Sequence, residues 1–487
     1  MIEKLKELSK DTAIYGISTM LGRFLGFLLI PFYTNVFTTA DYGIYSYLYT
    51  IIGFMNVIYI YGMDAAYLKF ASISSEEEKQ DTFSTPFLII AITSTAASLL
   101  IFSLKSEVSI FLDVPNLYTH LIVYMIIILL LDTIALIPFS GLRLERKAKK
   151  FAIIKTLNIL INITLNLVLI LIYKMGIEAI FISNIIASAF SLLALIPEII
   201  RRIKPKINFM LLKKLLKFGL PYLPASLAAM MVQMIDVPIL REMTNDSTVG
   251  IYRANYKMGI FMLLFVSMFQ YAWQPFFLNN AKEKDAKEIF SKVLTLFVLA
   301  SSVIWIFVTL FIDNLAMIEF FKGKTIIGKN YLVGIYIVPI ILFAYMFHGM
   351  YVNFTAGLYI EEKTNYFPAI TSVGALVNIA SNFLLIPIYG IMGAAISTLA
   401  SYLIMAFSIF LVTNKFYKVK YEFNRIIPNL LLVLVTIIIY YYLYFSHQLI
   451  MGYKIILLCG FLISLYIFKI INKKEIQTAL QIIKGKK

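Results

Sequence analysis

Apolar residues occur along the chain in stretches of about twenty, separated by short polar segments. A helix needs about 20 apolar residues to cross roughly 30 Å of hydrocarbon, whereas the strands of a membrane barrel are shorter and alternate in polarity. The pattern therefore predicts an all-α integral membrane protein with about fourteen membrane-spanning helices. The predicted spans are residues 11–37, 43–62, 83–104, 117–140, 151–173, 177–200, 215–240, 251–278, 290–312, 331–352, 368–388, 391–413, 427–445 and 451–471.

The first six predicted spans resemble the next six, which indicates an internal duplication. NITLNLVLILIYKMG, starting at Asn162, aligns with NIASNFLLIPIYGIMG, starting at Asn378. Three more pairs align upstream: Pro31 with Pro238, Gly43 with Gly250, and Tyr45 with Tyr252. Because six is an even number, the halves share one orientation in the membrane, as in transporters with parallel repeats. We predict two six-helix halves, residues 1–200 and 201–420, followed at 421–487 by two extra helices and a cytoplasmic tail.

Composition agrees with a membrane protein, and the positions of the charges predict its orientation. Hydrophobic residues make up 60% and charged residues 14% of the chain, against about 45–50% and 25% in soluble domains. The net charge of +16 raises the question of nucleic-acid binding, but 29 of the 43 Lys and Arg residues fall in the predicted inner segments and 6 in the outer loops. The positive-inside rule then places both termini in the cytoplasm, and we expect no nucleic-acid partner.

Motifs for catalysis, nucleotide binding and metal binding are absent from the sequence. It contains neither GxxxxGKS/T nor HExxH, its single cysteine cannot form a disulfide framework, and its three histidines lie far apart without metal-ligand spacing. No loop is long enough for an extramembrane catalytic domain. We therefore expect a non-enzymatic protein without a cofactor. Any uphill movement would draw on the membrane potential or an ion gradient, with a proton or Na⁺ as the coupling ion.

Ionisable residues inside the predicted spans are candidates for function, because they are costly in hydrocarbon. Arg23 lies near the middle of the first span, and Arg253 and Lys257 lie four residues apart in the outer part of the eighth. In one interpretation they face a wet cavity and bind an anion, since a guanidinium forks onto phosphate oxygens. In the other, Arg253 and Lys257 extend to the interface and Arg23 pairs with Asp64 or Asp236.

Buried acids, amides and prolines are further candidates. Asp236 and Asp132 either carry a coupling proton or Na⁺ or neutralise an arginine. Asn162 and Asn378 belong to stripes of asparagine with four-residue spacing, which either offer amides to sugar hydroxyls or join helices to one another. Prolines are expected to interrupt spans one, seven and eight, at Pro31, Pro238 and Pro275.

Four segments and the layout of the spans carry a family resemblance. The segments are LGRFLGF at 21–27, ADYGIYS at 40–46, Asp236 to Pro238, and STVGIYRANYKMG at 247–259. Together with the layout of six, six and two spans, they resemble the polysaccharide transporter family. Its members are flippases for lipid-linked oligosaccharides within the multidrug/oligosaccharidyl-lipid/polysaccharide exporter superfamily, and the resemblance covers nearly the whole chain.

The resemblance implies a function in a bacterial or archaeal cytoplasmic membrane. The substrate would be a polyprenyl diphosphate carrying an oligosaccharide repeat unit, turned from the inner to the outer leaflet by alternating access for O-antigen, capsule or exopolysaccharide synthesis. The implied partners are this lipid-linked oligosaccharide, membrane lipid, and the polysaccharide polymerase and chain-length machinery. In related lipid II flippases, arginines in the first, second and eighth spans line the cavity. Arg23 and Arg253 match two of these, but span two holds no basic residue, which disfavours lipid II as the substrate.

Alternative functions differ in what they need from the sequence. A cation-coupled multidrug antiporter of the same superfamily would bind organic cations through buried acids, and a lipid II flippase would need the missing arginine. A membrane-bound polymerase or glycosyltransferase would need a large external loop or a nucleotide-sugar domain. A passive scaffold for polysaccharide assembly would make no use of the internal duplication.

Overall fold

The computed structural model describes residues 26–75, 77–321 and 323–471. Helices account for most of them, because backbone groups in hydrocarbon must be satisfied within one segment. The first helices are α1 (Ile30–Val36), α2 (Thr39–Ile60), α3 (Met63–Ser72), α4 (Lys79–Ser103), α5 (Lys105–Phe111), α6 (His120–Leu144), α7 (Ala148–Leu167), α8 (Glu178–Arg202), α9 (Phe209–Gly219), α10 (Tyr222–Met234), α11 (Asp236–Met243) and α12 (Asp246–Tyr256). The later helices are α13 (Ile260–Asn280), α14 (Ala286–Ala316), α15 (Val338–Ile360), α16 (Tyr366–Tyr389), α17 (Ile391–Phe416), α18 (Phe423–Phe445) and α19 (Met451–Ile467). An antiparallel hairpin, β1 (Glu319–Phe321) and β2 (Lys324–Thr325), lies between α14 and α15.

The lengths of the helices suit a membrane. Among the described residues, twelve helical segments are long and apolar enough to cross one. Two shorter apolar helices, Gly26–Val36 and Met451–Ile467, correspond to the first and last predicted spans. The predicted fold class, an all-helical integral membrane protein, is confirmed, and the number of about fourteen spans stays a prediction.

The chain divides after Arg253, within α12, into two compact units. In the amino-terminal unit, helices α3, α4, α6 and α9 enclose a cluster of buried side chains that includes Met63, Phe83, Ile137 and Leu215. A second cluster joins α6, α7 and α8. The predicted boundary between two six-helix halves, at residue 200, follows the sequence repeat and stays a prediction.

Small residues bring the helices of the carboxyl-terminal unit close together. The hydroxyl of Ser401 on α17 donates to the carbonyl of Gly374 on α16 over 2.8 Å, and a side chain at Gly374 would press on Met405. Lipid tails are as apolar as the helix surfaces, so close packing and hydrogen bonds, rather than the hydrophobic effect, hold such helices together. The α15, α16 and α17 helices therefore form a tightly packed group.

The two extra helices, α18 and α19, pack against α14 in the same unit. Lys454 on α19 is 2% exposed, and its Nζ lies 2.7 Å from each carboxylate oxygen of Asp313 on α14. The Oδ1 atom of Asn314 accepts a further hydrogen bond from Nζ at 2.6 Å. This fully bonded ammonium fixes α19 to the end of α14.

Two of the three prolines lie where helices break. Pro238 cannot donate to the carbonyl of Met234, where α10 ends, and Pro31 lies at the start of α1, just after a turn at Leu29. The expectation is wrong for Pro275, around which α13 is continuous. The break in predicted span eight lies instead at a 3₁₀ turn, Lys257–Gly259.

Candidate substrate-binding site

Two of the three basic candidates lie within the described residues. Arg253 is half-buried in α12, and Lys257 is half-buried in the 3₁₀ turn that follows this helix. The chain passes from one compact unit to the other between them. Arg23 lies outside the described residues, as does most of the segment LGRFLGF.

A buried acid, Asp236, lies close to Arg253 at the start of α11. Asp236 is 2% exposed, accepts a hydrogen bond from the hydroxyl of Tyr252 and interacts electrostatically with Arg253. The positive end of the α11 dipole also favours a carboxylate in the first turn. The structure therefore brings together two of the residues singled out in the sequence, and it adds Tyr252 as the donor that holds the acid.

Aromatic rings of α1 and α2 surround the same part of the amino-terminal unit. Tyr42 is fully buried and interacts electrostatically with Arg253. Its ring centroid lies 5.5 Å from that of Tyr45 and 6.2 Å from that of Tyr33. The hydroxyl of Tyr33 donates to Oδ1 of Asn166 over 2.9 Å. These packed rings give the Arg253 side chain a rigid environment.

The repeat-related glycines Gly43 and Gly250 meet where α2 and α12 cross. A Cβ atom at Gly43 would overlap the carbonyl oxygen of Asp246, and one at Gly250 would overlap the carbonyl oxygen of Thr39. The hydroxyls of Thr39 and Ser247 hydrogen-bond to each other beside this contact. The two segments aligned in the sequence are thus partners in space, and only glycine permits their close approach.

Arg241, on α11, joins several segments near the contact between Gly43 and Gly250. Its guanidinium contacts Oδ1 of Asp246 at 2.5 Å and donates to the carbonyl oxygens of Leu112 at 2.7 Å and Asp113 at 2.6 Å. The guanidinium also lies 4.3 Å from the ring centroid of Tyr47. The sequence gives no sign of the two carbonyl contacts, because they join residues about 130 positions apart.

The asparagine stripes make the same internal contact in both repeats. The amide of Asn166 donates to Oδ1 of Asn162 at 3.1 Å, and the amide of Asn382 donates to Oδ1 of Asn378 at 2.5 Å. Asn378 and Asn382 are buried in the carboxyl-terminal unit, and Asn158 bonds α7 to α8 through Ser191 at 2.9 Å. This geometry favours a packing role for the stripes over contact with sugars.

The other acidic candidates lie apart from Asp236. Asp132 on α6 hydrogen-bonds to Ser188 on α8 and interacts with Lys155 on α7, a basic residue that the sequence did not single out. Asp64 is half-buried in the first turn of α3. Asp132 thus has a basic neighbour of its own, distinct from Arg253.

Two basic segments of the sequence meet around one buried acid, Glu198. Its carboxylate contacts Lys147 at 3.3 Å and Lys150 at 2.8 Å from the α6–α7 region, and Arg202 at 2.7 Å on α8. Nearby, burial works against ionisation of Glu145, but its contacts with Lys147 and with α8 arginines lower its pKa below the ordinary value.

Within the described ranges, no three His, Cys, Asp or Glu side chains are grouped to hold a metal ion.

Solved membrane transporters share this fold. The structure titled "Lipid II flippase MurJ, inward closed conformation" aligns with a TM-score of 0.74 and 17% sequence identity, covering 94% of this chain and 98% of that one. An inward-facing multidrug resistance transporter of the MATE family and MOP superfamily aligns with a TM-score of 0.65 and 11% identity, covering 81% and 94%. The D35N mutant of the MATE transporter VcmN from Vibrio cholerae aligns with a TM-score of 0.58 and 15% identity, covering 85% and 96%. At sequence identities this low, the structural alignments establish a common fold and nothing beyond it.

A comparison of the sequence with protein families identifies the family. No curated protein matches the chain. Residues 8–281, however, match the family described as "Polysaccharide biosynthesis protein", and this match includes α1 to α13, with Asp236, Tyr252 and Arg253. Because the match covers more than half of the 487 residues, the chain belongs to the polysaccharide biosynthesis protein family.

Proposed function

We propose that this protein is a flippase that moves a polyprenyl-diphosphate-linked oligosaccharide repeat unit from the cytoplasmic to the outer leaflet by alternating access. The observation that carries the proposal is the match to polysaccharide biosynthesis proteins in a chain with a transporter fold. A charged and polyhydroxylated head group cannot cross hydrocarbon unaided, because unpaired polar groups are costly there. A protein with many spans can provide a polar path while the prenyl tail stays in lipid.

The basic residues are proposed to bind the diphosphate. Arg253 has the fork geometry that suits phosphate oxygens, and Lys257 and Arg23 would add positive charge. Asp236 interacts with Arg253, so the acid and a phosphate would compete for the same guanidinium. Protonation of Asp236 would shift Arg253 towards the substrate, which makes Asp236 the proposed coupling site for a proton.

The setting of the activity follows from the same proposal. The protein would act in the cytoplasmic membrane of a bacterium or archaeon, in the synthesis of O-antigen, capsule or a related exopolysaccharide. Its product would pass to a polysaccharide polymerase and chain-length machinery at the outer face. Lipid II is a less favoured substrate, because α2 carries no basic residue.

Gene deletion tests the function. We expect loss of surface polysaccharide, with undecaprenyl-type lipid-linked oligosaccharide accumulating in the inner leaflet. Complementation with Arg253→Ala should fail although the protein reaches the membrane in normal amount. Complementation with Lys292→Ala, which removes a side chain that is 59% exposed, should succeed. Normal surface glycan in the deletion strain would refute the proposal.

A multidrug antiporter is the second candidate, and Asp132 is the residue that favours it. An acid on a membrane helix offers a binding site for an organic cation, and the MATE structures share this fold. Under this alternative, deletion leaves the surface glycan normal and increases sensitivity to cationic drugs, and Asp132→Asn reproduces the drug sensitivity.

A further inference from the structure

A cavity lies within the carboxyl-terminal unit, between α13, α15 and the start of α16. Its volume is about 210 Å³. It is lined by Gln270, Trp273, Gln274, Phe277, His348, Tyr351, Val352, Thr355, Tyr359 and Phe367. None of these side chains carries a fixed charge, and six of the ten are aromatic rings or the imidazole of histidine.

Helical periodicity explains how the lining arises. Gln270, Trp273, Gln274 and Phe277 recur at spacings of three and four along α13, which places them on one face. The residues that α15 contributes, from His348 to Tyr359, recur at the same spacings. The two helices pack together, so a mixed amide and aromatic face of each forms a wall of the cavity.

Two glutamines on a candidate membrane-spanning segment make the cavity polar. Gln270 and Gln274 are exposed, and neither amide hydrogen-bonds to another residue in the described part of the chain. An amide facing lipid would leave its donors and acceptors unsatisfied at a high cost. These side chains therefore face water or a polar ligand, and each offers two donors and an acceptor.

The aromatic residues give the cavity rigid apolar walls. Trp273 is 3% exposed and its Nε1 donates to the carbonyl of Asn353 over 3.2 Å, so the indole is fixed in place. Tyr359 is 37% exposed, with ring centroids 5.8 Å from Phe277 and 5.1 Å from Phe367. The faces of such rings are negative and attract the positively polarised C–H groups of a sugar.

The combination selects a class of ligand. Neutral amides and hydroxyls bind other hydroxyls, and aromatic faces bind the apolar face of a ring. The lining holds no Lys or Arg, which leaves an anionic group uncompensated. The volume is smaller than the roughly 300–1,000 Å³ of sites for drug-sized molecules, which limits the occupant to a single ring. A diphosphate or an acidic sugar does not fit this chemistry.

We propose that this cavity binds one neutral sugar ring of the oligosaccharide head group, with Gln270 and Gln274 as the hydrogen-bonding residues. The inference rests on the proposed flippase function for its biological meaning, but the binding itself is independent of translocation. It assigns recognition of the sugar to the carboxyl-terminal unit and leaves the diphosphate to the basic residues.

Tryptophan fluorescence of the purified full-length chain tests the site. The protein has two tryptophans, and Trp305→Phe leaves Trp273 as the reporter. The probes are the methyl glycosides of glucose, galactose, rhamnose and N-acetylglucosamine, with inorganic pyrophosphate as the charged comparison. We expect a saturable change in emission with at least one glycoside and none with pyrophosphate. Saturation-transfer NMR on the unsubstituted protein provides the same measurement if Trp305→Phe does not fold.

A matched pair of variants locates the binding. Gln274→Leu removes an amide from the cavity. It should raise the glycoside concentration at half-saturation about tenfold, the loss expected for one hydrogen bond. Gln448→Leu makes the same change in an exposed loop and should leave binding unchanged. Absence of saturable binding with every glycoside, equal binding by Gln274→Leu, or a response to pyrophosphate would overturn the proposal. Because no export is measured, failure of the flippase function would leave these results unaffected.

Discussion

At the scale of single residues, the chain combines buried charges with specific partners. Asp236 lies beside Arg253 and Tyr252, and Lys454 lies between Asp313 and Asn314. A charge that is out of water needs such partners, because an uncompensated one is far more costly than a neutral group. The stability of both sites therefore depends on the partner as much as on the charge.

The Tyr252 hydroxyl provides a direct test of the Asp236 site. Tyr252→Phe keeps the ring but removes the donor to the buried carboxylate, so we expect a loss of about 1–3 kcal/mol in the free energy of unfolding. Thermal unfolding in detergent, followed by intrinsic fluorescence, measures the change. Tyr173→Phe, at a ring that is 69% exposed, is the control and should unfold with the unsubstituted protein. Equal stability of the two variants would mean that the hydroxyl does not support Asp236.

The sequence identified some of these residues and not others, for a physical reason. Arg253 and Asp236 stood out because ionisable residues within an apolar span are rare and costly. Lys454 did not, because four residues into a span it looks like an ordinary interfacial lysine. Its partner, Asp313, is 141 residues away. Only the packing of α19 on α14 brings the two together.

At the scale of helices, repeat-related segments determine which elements pack closely. The alignment of Gly43 with Gly250 was visible in the sequence, but the contact between the two glycines was not. A shared motif shows that two segments are alike, and does not show that they touch. The asparagine pairs of α7 and α16 are the contrasting case, since each makes its contact within its own helix.

The glycine crossing predicts a sharp steric effect. Gly43→Ala places a methyl group against the backbone of α12, which cannot move aside as a flexible side chain would. We expect destabilisation of about 1–3 kcal/mol, the usual cost of overpacking, and reduced export in the deletion strain. Gly460→Ala is the matched control, because nothing lies within 4 Å of a Cβ at that position and alanine is the better helix former. Similar melting temperatures for the two variants would contradict a tight crossing at Gly43.

The docking of α19 predicts a coupled pair of substitutions. Lys454→Met leaves Asp313 without its cation, and removing one partner of a buried ion pair costs about 3–5 kcal/mol. Adding Asp313→Asn should recover part of that loss, because the acid is then neutral. A double-mutant cycle on thermal unfolding measures the coupling. If the two losses simply add, the ion pair is not what fixes α19 to α14.

At the scale of the whole molecule, apolar patterning predicted the class of fold and the positions of most helices. It did not predict the short helix α3 or the hairpin in the loops, since local apolar patterns of ten residues or fewer are weak signals. The charge pattern goes further, because basic segments far apart in sequence converge on Glu198. Such a cluster belongs on a face with water, and the positive-inside rule predicts that this face is the cytoplasmic one.

Cysteine labelling tests that orientation for the whole chain. In a Cys459→Ser background, we expect Gln448→Cys, in the exposed loop between α18 and α19, to react with a membrane-impermeant maleimide in intact cells. Lys206→Cys, in the exposed segment between α8 and α9, should react only after permeabilisation. Both positions are outside the helices, so their reactivity reports the side of the membrane rather than local packing. The reverse pattern would place the Glu198 cluster outside the cell and would refute the orientation that the positive-inside rule predicts.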